Sequence, residues 1–594
     1  MKNSITKIMA LSIIAISTIV FAISCSVEDL TQDLTLYTGN GFLVNPVSIQ
    51  VADAAKQEVA PDNLTITVEG RDKDKIYTMF GEKKIRAISG IVSLAVKSSD
   101  APSASKPLEF SLIFSAPNFT TVRKDYVITE GTTLKTEKVL MINPSAAPKG
   151  VSTQTGSFNS TSTGATQDAV FSSPLTNGKT EQVVATLKSG TKTLAADGTP
   201  VTGSVQTQLV HFDTRSEASL SGLAEGFSGL AVKEGTATNK VNITPAGFYS
   251  MTMSVGTSKI TKFSEPMDVT MDIDPEYYNV AQDRKVQVGD VLDVISRDET
   301  ETTWTSEAQA TVVEVNGKLK ASFKQSHLSI WIVGAKTRSL CTTSLKIASS
   351  INASKDADCA VALETFRYKL VNANNTNLVY SEGTSTLANG EVIDNEVISD
   401  PKIATKLIVT DMLYKEIHTT SNQKLCSNNT FDLTGKLPAN TSVVVKMNVS
   451  AFCDGAINTV FVPTNVTLFY RDMATPTTAP FGGWSPLVTV TDGKGCAKGL
   501  KVGRTYDFGL AVPISATQFE MQTFVKDLKQ PNGLTIPTGD LTINVASSVY
   551  NYYKTLTIKK QTDGSYNLNY DKYALPENIC TELDKNFSIF LSRK

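Results

Sequence analysis

Histidine is the scarcest reactive residue in this chain of 594: only His211, His327 and His418 occur, far apart in sequence. That scarcity leaves little scope for a histidine-ligated metal or for a catalytic triad gathered from distant segments. An excess of one charge is lacking too. The 56 Lys and Arg residues face 58 Asp and Glu, a formal net of −2, which removes the electrostatic basis for binding nucleic acid. Long helical periodicities are absent, as are HExxH, a P-loop, GxSxG and a GxGxxG placed after a strand. A long hydrophobic run stands at the very beginning, from Ile8 to Ile23.

That run (IMALSIIAISTIVFAI) carries no charge, follows Lys2 and Lys7, and closes on Ala22-Ile23-Ser24-Cys25. It is too short and too terminal for a comfortable spanning helix and reads as the apolar part of a removed export signal. Its closing residues resemble the lipobox of bacterial lipoproteins, although Ala22 stands where that pattern prefers Leu, Val or Ile. The resemblance implies a signal peptide over 1–24, a lipidated Cys25, and a tether over 25–30 that makes the membrane a partner. Several acyl chains anchor stably, because each buried methylene contributes about 0.8 kcal/mol. Ser26 and the acidic Glu28-Asp29 resemble tethers that route lipoproteins outward. The expected place is therefore the bacterial outer membrane, lipid-anchored, with exposure at the cell surface as one alternative.

Export to an oxidising compartment suits the other six cysteines, Cys341, Cys359, Cys426, Cys453, Cys496 and Cys580, an even set confined to the C-terminal half. No CxxC pair occurs, so structural disulfides are expected rather than metal ligation. Sequence alone does not fix their connectivity. Cys341 with Cys359 is the favoured first pair, because they flank one short segment.

Short runs rich in β-branched residues recur, among them 47–51, 64–68 and 91–96, each alternating apolar and polar side chains between polar or Gly/Pro-bearing turns. Period two places one face of each strand in a core. The fold expected is mostly β, a multi-domain chain of β-sandwich modules (Ig-like or transthyretin-like) after the signal peptide. After removal of the signal the chain is long enough for roughly three to five domains. Residues 31–146 form the first sandwich. Its Leu108–Phe114 run leading into Ala116-Pro117-Asn118-Phe119 resembles the transthyretin-like, carboxypeptidase regulatory-type module. Residues 147–166, mostly Ser, Thr, Gly and Asn, read as a flexible linker. Residues 167–338 carry His211-Phe212-Asp213, Pro245-Ala246-Gly247-Phe248 and Trp304 in order, ending on His327-Leu328-Ser329-Ile330-Trp331. This order resembles ZU5-like and GAIN-like β-domains. A β-rich segment over 339–420 and a C-terminal β-domain with disulfides over 421–594 complete the chain.

Two patterns bear on chemistry. His327-Leu328-Ser329 is similar to the His-apolar-Ser/Thr sites of self-cleaving ZU5 and GAIN domains. The resemblance implies attack by the Ser329 hydroxyl on the Leu328 carbonyl, with His327 as general base. The alternative is a structural strand in which the same two side chains share a hydrogen bond. Carboxylates at period two, Asp268, Asp272 and Asp274, opposite Met267, Val269, Met271 and Ile273, could offer oxygens to Ca²⁺ or simply form a solvated face. No other cofactor is indicated. The leading function is non-catalytic: a cell-envelope lipoprotein displaying β-sandwich modules for binding or adhesion, its ligand a glycan, a matrix protein or an envelope partner. The competing functions are a structural surface protein that cleaves itself between Leu328 and Ser329, and a glycan-acting enzyme whose site is not recognised in 339–594.

Overall fold

The alternating runs form the strands they predict. The computed structural model describes residues 34–39, 43–78, 83–87, 90–103, 105–130, 135–176, 181–223, 226–298, 301–348, 365–386, 391–437, 442–453, 459–461, 466–476, 478–490, 494–513, 519–523, 534–535, 541–546, 553–562, 566–575 and 588–593. The export signal, Cys25, Cys359 and Cys580 lie outside these residues. Strands dominate, distributed over many separate sheets, as a chain of β-sandwiches requires.

In the first domain, Leu43–Asp53 lies between Ile91–Lys97, antiparallel, and Lys135–Met141, parallel. Facing this sheet are Thr65–Glu69, Leu108–Ser115 and Val122–Ile128. Val47, Ile49 and Val51 meet Leu112 and Phe114 in the core between the two sheets. The turn after Leu108–Ser115 closes with a hydrogen bond from Phe119 N to Ala116 O, and Asn118 takes a positive φ of 65°, a conformation Asn tolerates better than most residues.

The expected linker is a correction. Val151–Thr161 is an eleven-residue strand, antiparallel to Gly203–Phe212 from Val151 to Ser160. Ser and Thr do not preclude a strand, since Thr is β-branched and fits a pleated surface. Phe158 and Ser160 are buried two residues apart, and Ser160 Oγ shares a 2.9 Å hydrogen bond with Thr193 Oγ1. Hydroxyls satisfied in this way make a polar stretch a structural one.

The second domain thus begins near Val151. One of its sheets holds Val151–Thr161, Gly203–Phe212, Ala237–Val255, Ile330–Thr337, Val291–Arg297 and the start of Trp304–Val315. The other holds the end of Trp304–Val315, then Lys318–His327, Lys262–Ile273, Val183–Leu187 and Ala169–Ser172. Between them lies a core of Tyr249, Met251, Met267, Val269, Met271, Val294, Trp331 and Val333. The first sheet is covered on its other face as well, by Phe212, Phe248, Ile295, Trp304 and Ile332 packed with Leu220, Leu223 and Phe227. Burial on both faces explains why residues 241–249 are buried without alternation.

The third domain packs Cys341–Ala348, Glu391–Ser399 and Thr430–Asp432 against Thr365–Asn372, Val379–Thr386, Thr405–Thr410 and Glu416–Thr419, around Leu345, Ile347, Phe366, Leu407 and Phe431. It therefore runs past residue 420. Cys341 is bonded to Cys426, with 5.7 Å between their Cα atoms. This overturns the pairing of Cys341 with Cys359. Proximity in sequence misled. The parallel pairing of Lys346–Ala348 with Thr430–Asp432 returns the later segment to the strand that begins at Cys341. Cys496 is disulfide-bonded as well.

The fourth domain begins near Ser442, with Ser442–Cys453 central in an eight-stranded sheet. The strand Leu34–Gly39, expected at the start of the first domain, belongs to this sheet instead. It runs antiparallel to Ser588–Arg593 and parallel to Thr459–Phe461.

Candidate functional site

The second domain turns a corner at Leu328-Ser329. Lys318–His327 is paired in one sheet, and two residues later the chain continues as Ile330–Thr337 in the other. Leu328 N donates to Thr261 O at 2.9 Å, and the Leu328 side chain is buried in the inter-sheet core. The fully buried Gln325 fastens the preceding residue: its Oε1 accepts from Tyr249 Oη at 2.8 Å, and its Nε2 donates to His327 O at 2.9 Å. The His327 ring lies 5.0 Å from that of Trp331, which is fully buried.

At this corner the two polar residues of the motif meet. Ser329 Oγ is 2.7 Å from His327 Nδ1. The other ring nitrogen, Nε2, is 3.1 Å from Oε1 of Glu307, which also accepts from Ser296 Oγ at 2.7 Å. Ser329 is buried, while the His327 and Glu307 side chains retain 29% and 21% of their exposure. Burial works against the Glu307 carboxylate, but hydrogen bonds from His327 and Ser296, with the charge of His327, outweigh it and hold its pKa below the ordinary value. The result is a line of serine, imidazole and ionised carboxylate. Such a line can take a proton from the hydroxyl and stabilise the imidazolium that forms.

Glu307 reaches this position through a β-bulge. Between Val291–Arg297 and Trp304–Val315 the register passes from Val294↔Ala308 to Ile295↔Ser306, so Glu307 has no partner across the ladder. One extra residue reverses which face each later side chain takes. Trp304 accordingly packs on the outer face of the sheet, whereas Ala310 and Val312, at the same parity, pack between the sheets. Reading the sequence did not single out Glu307. A strand written with strict alternation does not show where its phase changes, although the switch from Trp304 to Ala310 and Val312 is a faint signal.

The carboxylates considered for Ca²⁺ are not gathered about one point. Asp268 pairs with Lys324, Asp272 with Lys320 at 2.9 Å and Lys318 at 3.0 Å, and Asp274 with Arg215. Cross-strand lysines on the neighbouring Lys318–His327 strand thus occupy the face the acidic residues present. Among the described residues no group of three or more His, Cys, Asp or Glu could hold a metal ion. His211 is fully buried, its Nδ1 3.2 Å from Ser173 Oγ.

No known protein family matches the chain, and no curated protein matches it. Among solved structures, the crystal structure of BcpA, the major pilin subunit of Bacillus cereus, is similar at 7% identity over 89% of this chain and 97% of that chain, with a TM-score of 0.12. At that score the likeness carries no argument about fold or function.

Proposed function

We propose that this chain is an exported, membrane-tethered protein of the cell envelope whose successive β-sandwiches display a non-catalytic binding surface. The observation that carries the reading is a chain of sandwiches joined with an oxidised Cys341–Cys426 pair, a bond that persists outside the reducing cytosol. The Ala22-Ile23-Ser24-Cys25 sequence supports lipid attachment at Cys25 and an outer-membrane location. Sandwich modules present loops at their ends, where recognition of a glycan, a matrix protein or an envelope partner would lie. Metabolic labelling with a radioactive fatty acid tests the anchor: label should enter the wild type and disappear in Cys25→Ser. Label absent from the wild type would sink the tether. Glycan and protein arrays probed with the soluble form starting at Val27 would then identify the ligand class.

The line of Ser329, His327 and Glu307 favours a second reading, in which the domain cuts its own backbone. His327 Nδ1 takes the hydroxyl proton as Ser329 Oγ bonds to the Leu328 carbonyl carbon. The Leu328–Ser329 C–N bond then breaks, and the proton passes to the departing nitrogen, leaving an ester. Water hydrolyses that ester to a Leu328 carboxylate and the regenerated Ser329 hydroxyl, and the amine freed in the preceding step makes Ser329 the first residue of the second fragment. Ile330–Thr337 is held by two neighbouring strands, so the fragments stay associated after cleavage. On a denaturing gel the mature protein should run as two bands divided after Leu328, and Ser329→Ala as one. A single band from the wild type would remove this reading and leave the display function untouched.

A further inference from the structure

We infer that Glu307 is a positioning residue that fixes the tautomer of His327, turning the basic Nδ1 toward Ser329. Its relevance to chemistry rests on the self-cleavage reading, but the geometric claim can be tested separately.

Three observations carry it. The first is the donor inventory. An ionised carboxylate only accepts hydrogen bonds, so in the neutral imidazole the 3.1 Å contact of Nε2 with Glu307 Oε1 requires the ring proton on Nε2. Nδ1 is then left as an acceptor, 2.7 Å from Ser329 Oγ. The opposite tautomer would set the Nε2 lone pair against a carboxylate and point an N–H at the hydroxyl whose proton must leave.

The second is the bulge. In an uninterrupted ladder Glu307 would face a residue of Val291–Arg297. Released from register, its carboxylate meets His327 Nε2 at the sheet corner. The third is support around the carboxylate. Ser296 Oγ donates to the same oxygen that receives His327, and the Gln325 carboxamide holds the His327 carbonyl. The ring is thus fixed from its backbone and from its far nitrogen, which a base acting across a single residue needs.

Two measurements separate the claims. In the uncut Ser329→Ala protein labelled with ¹⁵N-histidine, three imidazoles contribute signals, and His327→Gln assigns the one of interest. At a pH where the imidazole is neutral, the His327 resonances should report an Nε2-protonated ring, and adding Glu307→Ala should move them to a mixture or to the Nδ1-protonated form. Unchanged resonances in Glu307→Ala would overturn the inference, whatever the cleavage result. In the second arm, fragment accumulation is followed in freshly made protein. Glu307→Ala should slow cleavage at least tenfold. Glu307→Gln, whose carboxamide oxygen can still accept from Nε2–H, should fall between it and the wild type. Cleavage in Glu307→Ala at the wild-type rate would also overturn the inference. If the wild type does not cleave, the self-cleavage reading falls and the tautomer shift alone decides what Glu307 does.

Discussion

Tyr277 bridges the backbone of two paired strands with its hydroxyl. Thr244 and Ala335 are partners in the pairing of Ala237–Val255 with Ile330–Thr337, next to an irregularity between Pro245 and Gly247. Their backbone groups are joined through the Tyr277 hydroxyl, which donates to Thr244 O at 2.7 Å and accepts from Ala335 N at 2.8 Å. The residue is buried, and burial pushes its pKa well up, so it remains a neutral donor across the physiological range. Tyr277→Phe keeps the ring and leaves a buried amide and a buried carbonyl without that bridge. Each orphaned group costs roughly 1–3 kcal/mol, reduced where the strands can close up. We expect a loss of about 2 kcal/mol in the unfolding of this domain, read as a lower urea midpoint at constant slope. A change under about 0.5 kcal/mol would show that the strands close the gap by themselves. Nothing in the neighbourhood of Tyr277 in sequence announces this role, because its partners lie 33 and 58 positions away.

Strands were legible where apolar and polar residues alternate, and less so where another rule prevailed. Lys262–Ile273 followed the pattern: Met267, Val269, Met271 and Ile273 are core, and Asp268 and Asp272 lie opposite, paired with lysines. Val151–Thr161 did not, because one of its buried positions is Ser160, whose hydroxyl is satisfied by Thr193 on another segment, and composition reads such a stretch as a linker. The His327–Ser329 contact was legible because it is local, two residues apart on one chain. Glu307 was not, since a change of register is a property of two strands together. The cysteines illustrate the same limit. The loop closed by Cys341 and Cys426 spans 85 positions and depends on a parallel pairing no sequence pattern marks. Its removal in Cys341→Ser/Cys426→Ser should destabilise the third sandwich by about 2–4 kcal/mol, chiefly through the freedom restored to the unfolded chain. Peptide mapping without reduction should recover the two cysteines in one linked peptide from the wild type. Recovery of Cys341 joined to Cys359 would contradict the arrangement.

At the scale of the whole chain, contacts between domains turn a tandem series back on itself. Buried Gln50 of the first sandwich donates to Trp484 O of the fourth at 3.1 Å, and Lys138 of the first meets Glu382 of the third at 2.9 Å. The strongest closure is made by Leu34–Gly39, which fills a slot between Thr459–Phe461 and Ser588–Arg593. Eight residues, 26 to 33, separate this strand from Cys25. Fully extended, that connection reaches about 30 Å. If Cys25 carries the proposed lipid, the fourth domain therefore stands beside the membrane, and the chain does not project as a simple stack with its C-terminal domain outermost. The pairing can be trapped. Thr35 and Ser592 are directly opposed in the antiparallel register, and opposed positions bring Cβ atoms to about 4.5–5.5 Å, close to what a disulfide spans. Thr35→Cys/Ser592→Cys should form an intramolecular disulfide on mild oxidation, detected by peptide mapping and by faster migration on a non-reducing gel that reverts with reductant. A disulfide-linked dimer would mean that the strand is donated to a second copy. No cross-link in a folded protein would mean that Leu34–Gly39 does not close the sheet, and would return the C-terminal domain to the far end of the chain.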